Sequence, residues 1–439
     1  MKKGDALSLP KGWEMKKLGD VCTYEKNKYK GNNLPYVGLE HIESNTGKYI
    51  GDFSITNVKS STFKFSSNHI LYGRLRPYLN KVLIPYFEGH CSTEIFPIKT
   101  NENITREYLF YWLIMETTVS KINSTWTGAR MPRANMNEVI NFPIPIPPLP
   151  EQKQIVAILD KAFAAIDQAK ANIEKNIAND KELFQSKLNE IFSQKGEGWE
   201  EKTLGEIGTL TSSKRIFKKE YVKEGVPFYR SKEIKELGNR KEISLELFIS
   251  EERYNEIKEK FGIPKQGDVL LTAVGTIGEM YVVQKDDKFY FKDGNIMWLK
   301  DFDTLNSYYL KYALSNYVEQ LNSMSKGSAY SALTISTLKK YSIPVPSESK
   351  QAEIVNSLNE LKKKTYNIES HYQKNLTNLE ELKKSILQKA FSGELTRPEG
   401  TRYEKEVRSA SDKKGTKHSK EARSASERIT NKKSPERAI

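Results

Sequence analysis

Five histidines, two cysteines and scattered carboxylate–lysine pairs are the side chains of this 439-residue chain from which metal, nucleophilic or acid–base chemistry could be built. His41, His69, His90, His371 and His418 contain no i, i+4 pair, so no helix face carries two imidazoles for a metal. His90 and Cys91 are adjacent, and neighbours on a strand point to opposite faces. Cys22 and Cys91 form neither C-x-x-C nor a small-domain disulfide pattern, which suits a reducing cytoplasm. Gly275-Thr276-Ile277-Gly278 is too sparse to cradle a phosphate. Pro147-Pro148-Leu149 follows Ile146 and lacks the polar residue that an amino-methyltransferase motif uses to hold its target. Glu233-x-Lys235 and Glu256-x-Lys258 look like metal-nuclease pairs, but 29% of the residues are charged and such pairs arise by chance. No catalytic or metal constellation emerges, which argues for a binding role.

Binding chemistry is better represented. Basic side chains beside aromatics at Gly/Pro-bounded turns suit phosphates and base edges. Arg74, Arg76, Tyr78 and Lys81 form one such stretch; Thr127, Arg130 and Arg133, preceded by Trp126, form a second. In the second half the candidates are Lys214, Arg215, Lys218 and Lys219, then Arg230 and Lys232, then Lys326 and Tyr330 in the place of the Thr127 loop. The formal charge of +14 makes nucleic acid the first partner to test. That charge is uneven. Residues 1–150 carry 19 basic and 13 acidic side chains, 195–349 carry 24 and 23, and 401–439 carry 12 and 6. The last stretch has no Leu, Phe or Trp and reads as a disordered basic tail that can be removed without changing what is bound. The longest apolar run, residues 108–115, is far short of the roughly 20 residues of a membrane span. No secretory signal opens the chain, so a cytoplasmic protein is expected.

The elements that must position these residues come in duplicate. Gly12-Trp13-Glu14 with Leu18-Gly19-Asp20 recurs as Gly198-Trp199-Glu200 with Leu204-Gly205-Glu206. Pro145-Ile146-Pro147 with Gln152, Ile155 and Val156 recurs as Pro344-Val345-Pro346 with Gln351, Ile354 and Val355. The order is kept while the offset grows from 186 to 199 residues, so the second copy carries insertions. Each copy opens with short alternating runs, such as 34–42, 69–71, 81–85 and 94–98, that read as strands. A helix is expected at 106–120, with a counterpart near 307–321, and then a proline-rich extended brake at 142–150 or 342–346.

Each copy ends in a long helix. Ile155, Leu159, Ala162, Ile166, Ala169 and Ile173 step alternately by four and three, as do Ile354, Leu358, Leu361, Thr365, Ile368 and Tyr372. That is a coiled-coil seam, with Asn176 and Asn375 at equivalent places beyond it. The reading is an α+β chain: mixed α/β blocks at 1–150 and 195–349, long helices at 151–194 and 350–395, and a tail from 396 to 439. An antiparallel pairing of the helices would give one polypeptide pseudo-twofold symmetry, the geometry of a reader of two half-sites. Residues 155–193 would span roughly 58 Å as a spacer.

Taken together these residues resemble the specificity subunit of type I restriction–modification enzymes. The resemblance rests on the Gly-Trp-Glu and Leu-Gly-Asp motifs at 12–20, Tyr-Val-Gly-Leu-Glu-His-Ile-Glu at 36–43 and Gly-Arg-Leu-Arg-Pro-Tyr-Leu-Asn-Lys at 73–81. Pro-Ile-Pro-Ile-Pro-Pro-Leu-Pro-Glu-Gln at 143–152 and Ala-Phe-Ser-Gly-Glu-Leu at 390–395 complete it. The second copy departs from the pattern at Ser347-Glu348-Ser349 and lacks Leu-Arg-Pro-Tyr. The resemblance implies two target recognition domains, each reading one half of a bipartite, asymmetric site in double-stranded DNA. It implies helices that separate the domains and dock methyltransferase subunits, two of them, which methylate adenine-N6. It also implies restriction–translocase subunits as partners. S-adenosylmethionine, Mg2+ and ATP would then belong to the partners, with no cofactor and no metal in this chain. Two other readings stay open at this point: the specificity partner of a fused nuclease–methyltransferase, and a coiled-coil scaffold that binds only proteins. Matched globular blocks favour the two-site reader, since a scaffold needs no such pair.

Overall fold

The computed structural model describes residues 9–31, 33–55, 58–193, 196–274, 277–324 and 333–396. The expectations for the tail, apart from residue 396, and for the 325–330 loop fall outside the described residues. The chain divides into two units, Met1–Ile173 with Lys374–Ile439, and Glu174–Gln373.

In the first unit a two-stranded ribbon pairs β1 (Glu14–Lys17) with β10 (Pro143–Ile146) antiparallel, Met15 opposite Pro145 and Lys17 opposite Pro143. Alternate residues of an antiparallel strand need no donor, so prolines at every second position of β10 cost no ladder bond. Ile144 and Ile146 fill the intervening positions and are buried. The expected brake is therefore a strand.

Eight more strands and a helix–helix pair complete the block. An antiparallel sheet runs β2 (Cys22–Tyr24), β9 (Ile95–Thr100), β6 (His69–Gly73), β7 (Val82–Leu83). A second runs β3 (Lys28–Tyr29), β5 (Thr62–Phe65), β8 (Gly89–Ser92), β4 (Tyr36–Val37), its last pair parallel. The run at 34–42 is extended only at β4, because Leu39–His41 turn into a short 3-10 helix. The helix expected at 106–120 is broken: α1 (Arg106–Ile114) and α2 (Glu116–Ser124) flank Met115, whose extended backbone ends one helix while its carbonyl starts the next. α3 (Met136–Val139) leads into β10.

The second unit repeats this plan. β11 (Glu200–Thr203) pairs β20 (Ser342–Val345), and β12 (Thr209–Thr211), β19 (Ile296–Lys300), β16 (Val269–Thr272) and β17 (Met280–Val282) reproduce the order of the first antiparallel sheet. The other sheet diverges. Its order is β13 (Tyr221–Val222), β15 (Phe248–Ile249), β14 (Val226–Tyr229), β18 (Tyr290–Phe291). The parallel pair survives as β14 with β18, but the third strand joins β14, whereas in the first unit it joins β8. The inserted residues include two helices without long counterparts, α6 (Ser231–Gly238) and α7 (Glu251–Lys260). A four-residue helix, α5 (Leu204–Ile207), follows β11, and α8 (Ser307–Met324) and α9 (Ile335–Lys339) precede β20.

Both units grip their long helix in the same way. The amide of Gln152, fully buried in α4 (Leu149–Ser193), donates to the Asn103 and Pro147 carbonyls at 2.9 Å and accepts from Thr105 N–H at 2.9 Å. Gln351 in α10 (Glu348–Ser392) donates to Thr304 and Pro346 and accepts from Asn306 N–H at 2.8 Å. Tyr108 OH donates to Pro145 O and Tyr309 OH to Pro344 O; Tyr111 reaches Asp160 where Tyr312 reaches Asn359. Gly19 and Gly205 allow close approach on the ribbon side: a Cβ would lie 2.9 Å from Ile140 Cγ1 in one and 3.2 Å from Lys339 O in the other.

Each unit also holds half of both long helices. In the first, Ile155, Leu159 and Ile166 are buried with Ile386, Leu387, Ala390 and Phe391. Lys383 lies over Phe163 and Lys170 pairs with Glu380, so these segments run antiparallel. In the second, Ile354, Val355 and Leu358 share a core with Phe184, Leu188 and Ile191, and Lys181 pairs with Glu369. The seam loosens away from the blocks. Ile173 and Leu361 are half-buried and Ile368 is 38% exposed. Asn176 and Asn375 are half-buried, and Asn176 hydrogen-bonds Tyr372.

Candidate nucleic-acid interface

The two arginine loops of the first half meet. The β6–β7 loop and the α2–α3 loop are joined by a bridge between Leu75 and Arg133, and a bridge between Thr127 and Arg133 closes the second loop on itself. Arg76 N–H donates to Pro132 O at 2.7 Å and Ala134 N–H to Arg74 O at 2.9 Å. Arg76 sits in the left-handed region at φ 50°, where the chain turns into the Pro77–Leu79 3-10 turn. Glu94, in the turn between β8 and β9, ties the platform together. Arg74 Nε donates to Glu94 Oε2 at 3.0 Å, and Arg133 uses Nε and NH2 on the same carboxylate. Burial would raise the Glu94 carboxyl, but Arg133 and Arg74 outweigh it and hold it below the usual range.

The individual residues therefore differ in what they offer. Arg76 and Arg130 are exposed and meet no carboxylate among the described residues, and Tyr78 stands beside them half exposed. Thr127 is exposed, its backbone engaged by Arg133. Arg133 is engaged on all three nitrogens, since NH1 donates to Met131 O besides the Nε and NH2 contacts to Glu94. Lys81 is spent inside the fold: its ammonium donates to Leu39 O at 2.7 Å and Ile42 O at 2.8 Å.

In the second unit the candidates gather around the β13–β15–β14–β18 sheet. Arg215 Nε donates to Asp293 Oδ2 at 2.7 Å, and the Lys214 ammonium lies over Phe261. Lys218 and Lys219 are exposed on one 3-10 turn. Arg230 grips Glu233 and Glu246, and its guanidinium is pushed up by the Glu233 hydrogen bond. Lys232 pairs with Glu246 at 2.9 Å. Neutralised in this way, Arg230 and Lys232 explain how a nearly balanced block still carries cationic loops. Lys326 and Tyr330 lie outside the described residues. Sequence reading missed Glu94, Asp293 and Glu246, because an acidic loop residue carries no motif, and it noted Glu233 only as part of a Glu-x-Lys pair. It matched Gln152 with Gln351 without seeing that they clamp a helix.

Among the described residues no His/Cys/Asp/Glu group could hold a metal ion, and no helix is long and apolar enough to cross a membrane. Cys22 and Cys91 are free, buried thiols, and burial pushes Cys22 up to about 12.

A block of one antiparallel and one mixed sheet presenting arginine loops, repeated with its own long helix, is the architecture of a duplicated DNA specificity domain. The type I restriction modification DNA specificity domain family matches the chain twice, over residues 10–179 and 196–378, and the chain belongs to that family. It is 32% identical over 190 residues, 42% of each chain, to the type I restriction enzyme EcoDI specificity subunit of Escherichia coli. It is 25% identical over 371 residues to a putative type I restriction enzyme specificity subunit of Haemophilus influenzae, S.HindORF215P, covering 81% of this chain and 89% of that one. Solved structures share the fold. A chain from a structural study of type I R-M system assembly and conformational transition superposes with TM-score 0.75 at 24% identity, covering 88% of this chain and all of that one. The HsdS subunit from Thermoanaerobacter tengcongensis gives 0.58 at 23%, covering 90% and 100%.

Proposed function

We propose that this chain is the non-catalytic DNA specificity subunit of a type I restriction–modification complex. Each unit reads one half of a bipartite, asymmetric site, and the long helices dock two adenine-N6 methyltransferase subunits. Restriction–translocase subunits complete the assembly, which works in the cytoplasm. S-adenosylmethionine, Mg2+ and ATP act in those partners, where the target base is flipped and methylated. The observation that carries the reading is a shared frame with divergent sheets. The Gln152 and Gln351 clamps repeat almost bond for bond, while the β3–β5–β8–β4 sheet and its counterpart differ in strand order. A reader of two different half-sites needs a common mount and unlike reading surfaces.

The test is the adenine-methylation map of cells with and without the gene, in a strain that expresses a cognate adenine methyltransferase. Loss of one bipartite motif on deletion is the expected result. An unchanged map defeats the reading.

A further inference from the structure

Glu94 and Asp293 both lie in the turn that precedes the strand carrying Ile95 in one unit and Ile296 in the other, Glu94 one residue and Asp293 three residues before it. Each takes an arginine from a different loop by its Nε, Arg74 at 3.0 Å and Arg215 at 2.7 Å. Both carboxylates are shielded, with side chains 20% and 17% exposed, whereas the arginines reach outward at 31% and 67%. Arg133 braces Glu94 from a second side through Nε and NH2, and its NH1 donates to Met131 O.

A guanidinium held by Nε keeps its two terminal NH2 groups, an end-on fork that matches O6 and N7 of guanine. Tethering also restricts the side chain before binding, so less rotamer freedom is lost on contact. The carboxylate decides which target is favoured. A phosphate brings a full negative charge beside Glu94 or Asp293 and is repelled; a neutral base edge is not.

We propose that Glu94 and Asp293 are positioning residues that present Arg74 and Arg215 to a guanine edge, one in each half of the recognised site. The inference rests on the specificity-subunit reading and adds a base identity to it. It separates these two arginines from Arg76 and Arg130, which meet no carboxylate among the described residues and are left for phosphates.

The experiment selects bound duplexes from a randomised DNA library with the full-length chain and with Glu94→Gln, Asp293→Asn, Arg74→Lys and Arg215→Lys. The wild type should enrich a bipartite motif with a guanine in each half. Glu94→Gln and Arg74→Lys should each erase preference at one guanine, a loss of roughly tenfold or more in discrimination. Asp293→Asn and Arg215→Lys should erase the guanine of the other half. The lysine variants keep every carboxylate and the charge but lose the fork, so they stand in where a carboxylate variant does not fold. Affinity for random duplex should hold in all four, a result that general unfolding cannot produce. A wild-type motif lacking guanine in either half, variants that leave the motif intact, or variants that blur every position equally would overturn the proposal. A wild type that enriches no motif would instead bring down the specificity-subunit reading itself.

Discussion

Replacing Gln152 by Leu isolates the grip of the first block on its helix. Leucine nearly conserves volume, so the change removes hydrogen bonds without opening a large cavity. Three bonds disappear, each worth about 1 kcal/mol net, and the Thr105 N–H is stranded at the start of α1 with a further penalty of about 1–3 kcal/mol. The loss should total about 4–6 kcal/mol. Hydrogen exchange reads it locally: amides of Leu109 to Leu113 in α1 should exchange roughly hundredfold faster or more, while those of Leu310 to Leu314 in α8, held by Gln351, stay within about threefold. Gln168→Leu is the control, because Gln168 is exposed and bonds only Asn172 within its own helix, so it should cost at most about 0.5 kcal/mol. If Gln152→Leu and Gln168→Leu behave alike, or if α8 loosens as much as α1, the clamp assignment is refuted.

Two loop residues that look alike in the sequence should separate in assay. Lys81→Met should destabilise the first unit by about 2–3 kcal/mol in urea unfolding and leave the salt dependence of DNA binding unchanged, because its ammonium is bound to Leu39 and Ile42 carbonyls. Arg76→Ala should do the reverse, with little effect on unfolding and a fall of about one in the salt slope. A pH effect is expected in the second unit. Burial, with Lys362 and Arg240 nearby, lowers the Lys311 ammonium to about 8. Below pH 8 it is charged both folded and unfolded. Between pH 8 and its ordinary 10.5 only the unfolded chain keeps the proton, so stability should rise with pH across that window. Lys311→Met should flatten the rise in urea-unfolding measurements, and an equal rise in the variant would refute the assignment.

The duplication and both helices were legible because burial imposes a period. Ile155, Leu159 and Ile166 must face a core, and so must Ile354 and Leu358; a repeated motif carries that requirement in plain view. The break at Met115 was not legible, since nothing in its side chain forbids continuing the helix and only the backbone departs. Strand order in the divergent sheet was equally hidden, because β4, β8, β14 and β18 are short, buried and similar in composition. At the candidate interface, basic loops were found by residue type. Their accessibility depends on carboxylates far along the chain: Glu94 lies 20 residues from Arg74, and Asp293 lies 78 from Arg215. Pairing at that range decides which cations face solvent, and composition does not reveal it.

Trp13 Nε1 donates to Glu151 Oε2 at 3.1 Å, whereas the residue equivalent to Glu151 in the second copy is Lys350. A polypeptide made of two near-copies runs the risk of joining the wrong halves during synthesis, β1 to β20 or β11 to β10. Were β1 to take β20, the indole N–H of Trp13 would face an ammonium, donor against donor. The correct partner also leaves the ribosome some two hundred residues earlier than the false one. One glutamate exchanged for lysine thus marks the first half against that false pairing, and chain order allows the first half to close before its imitation exists.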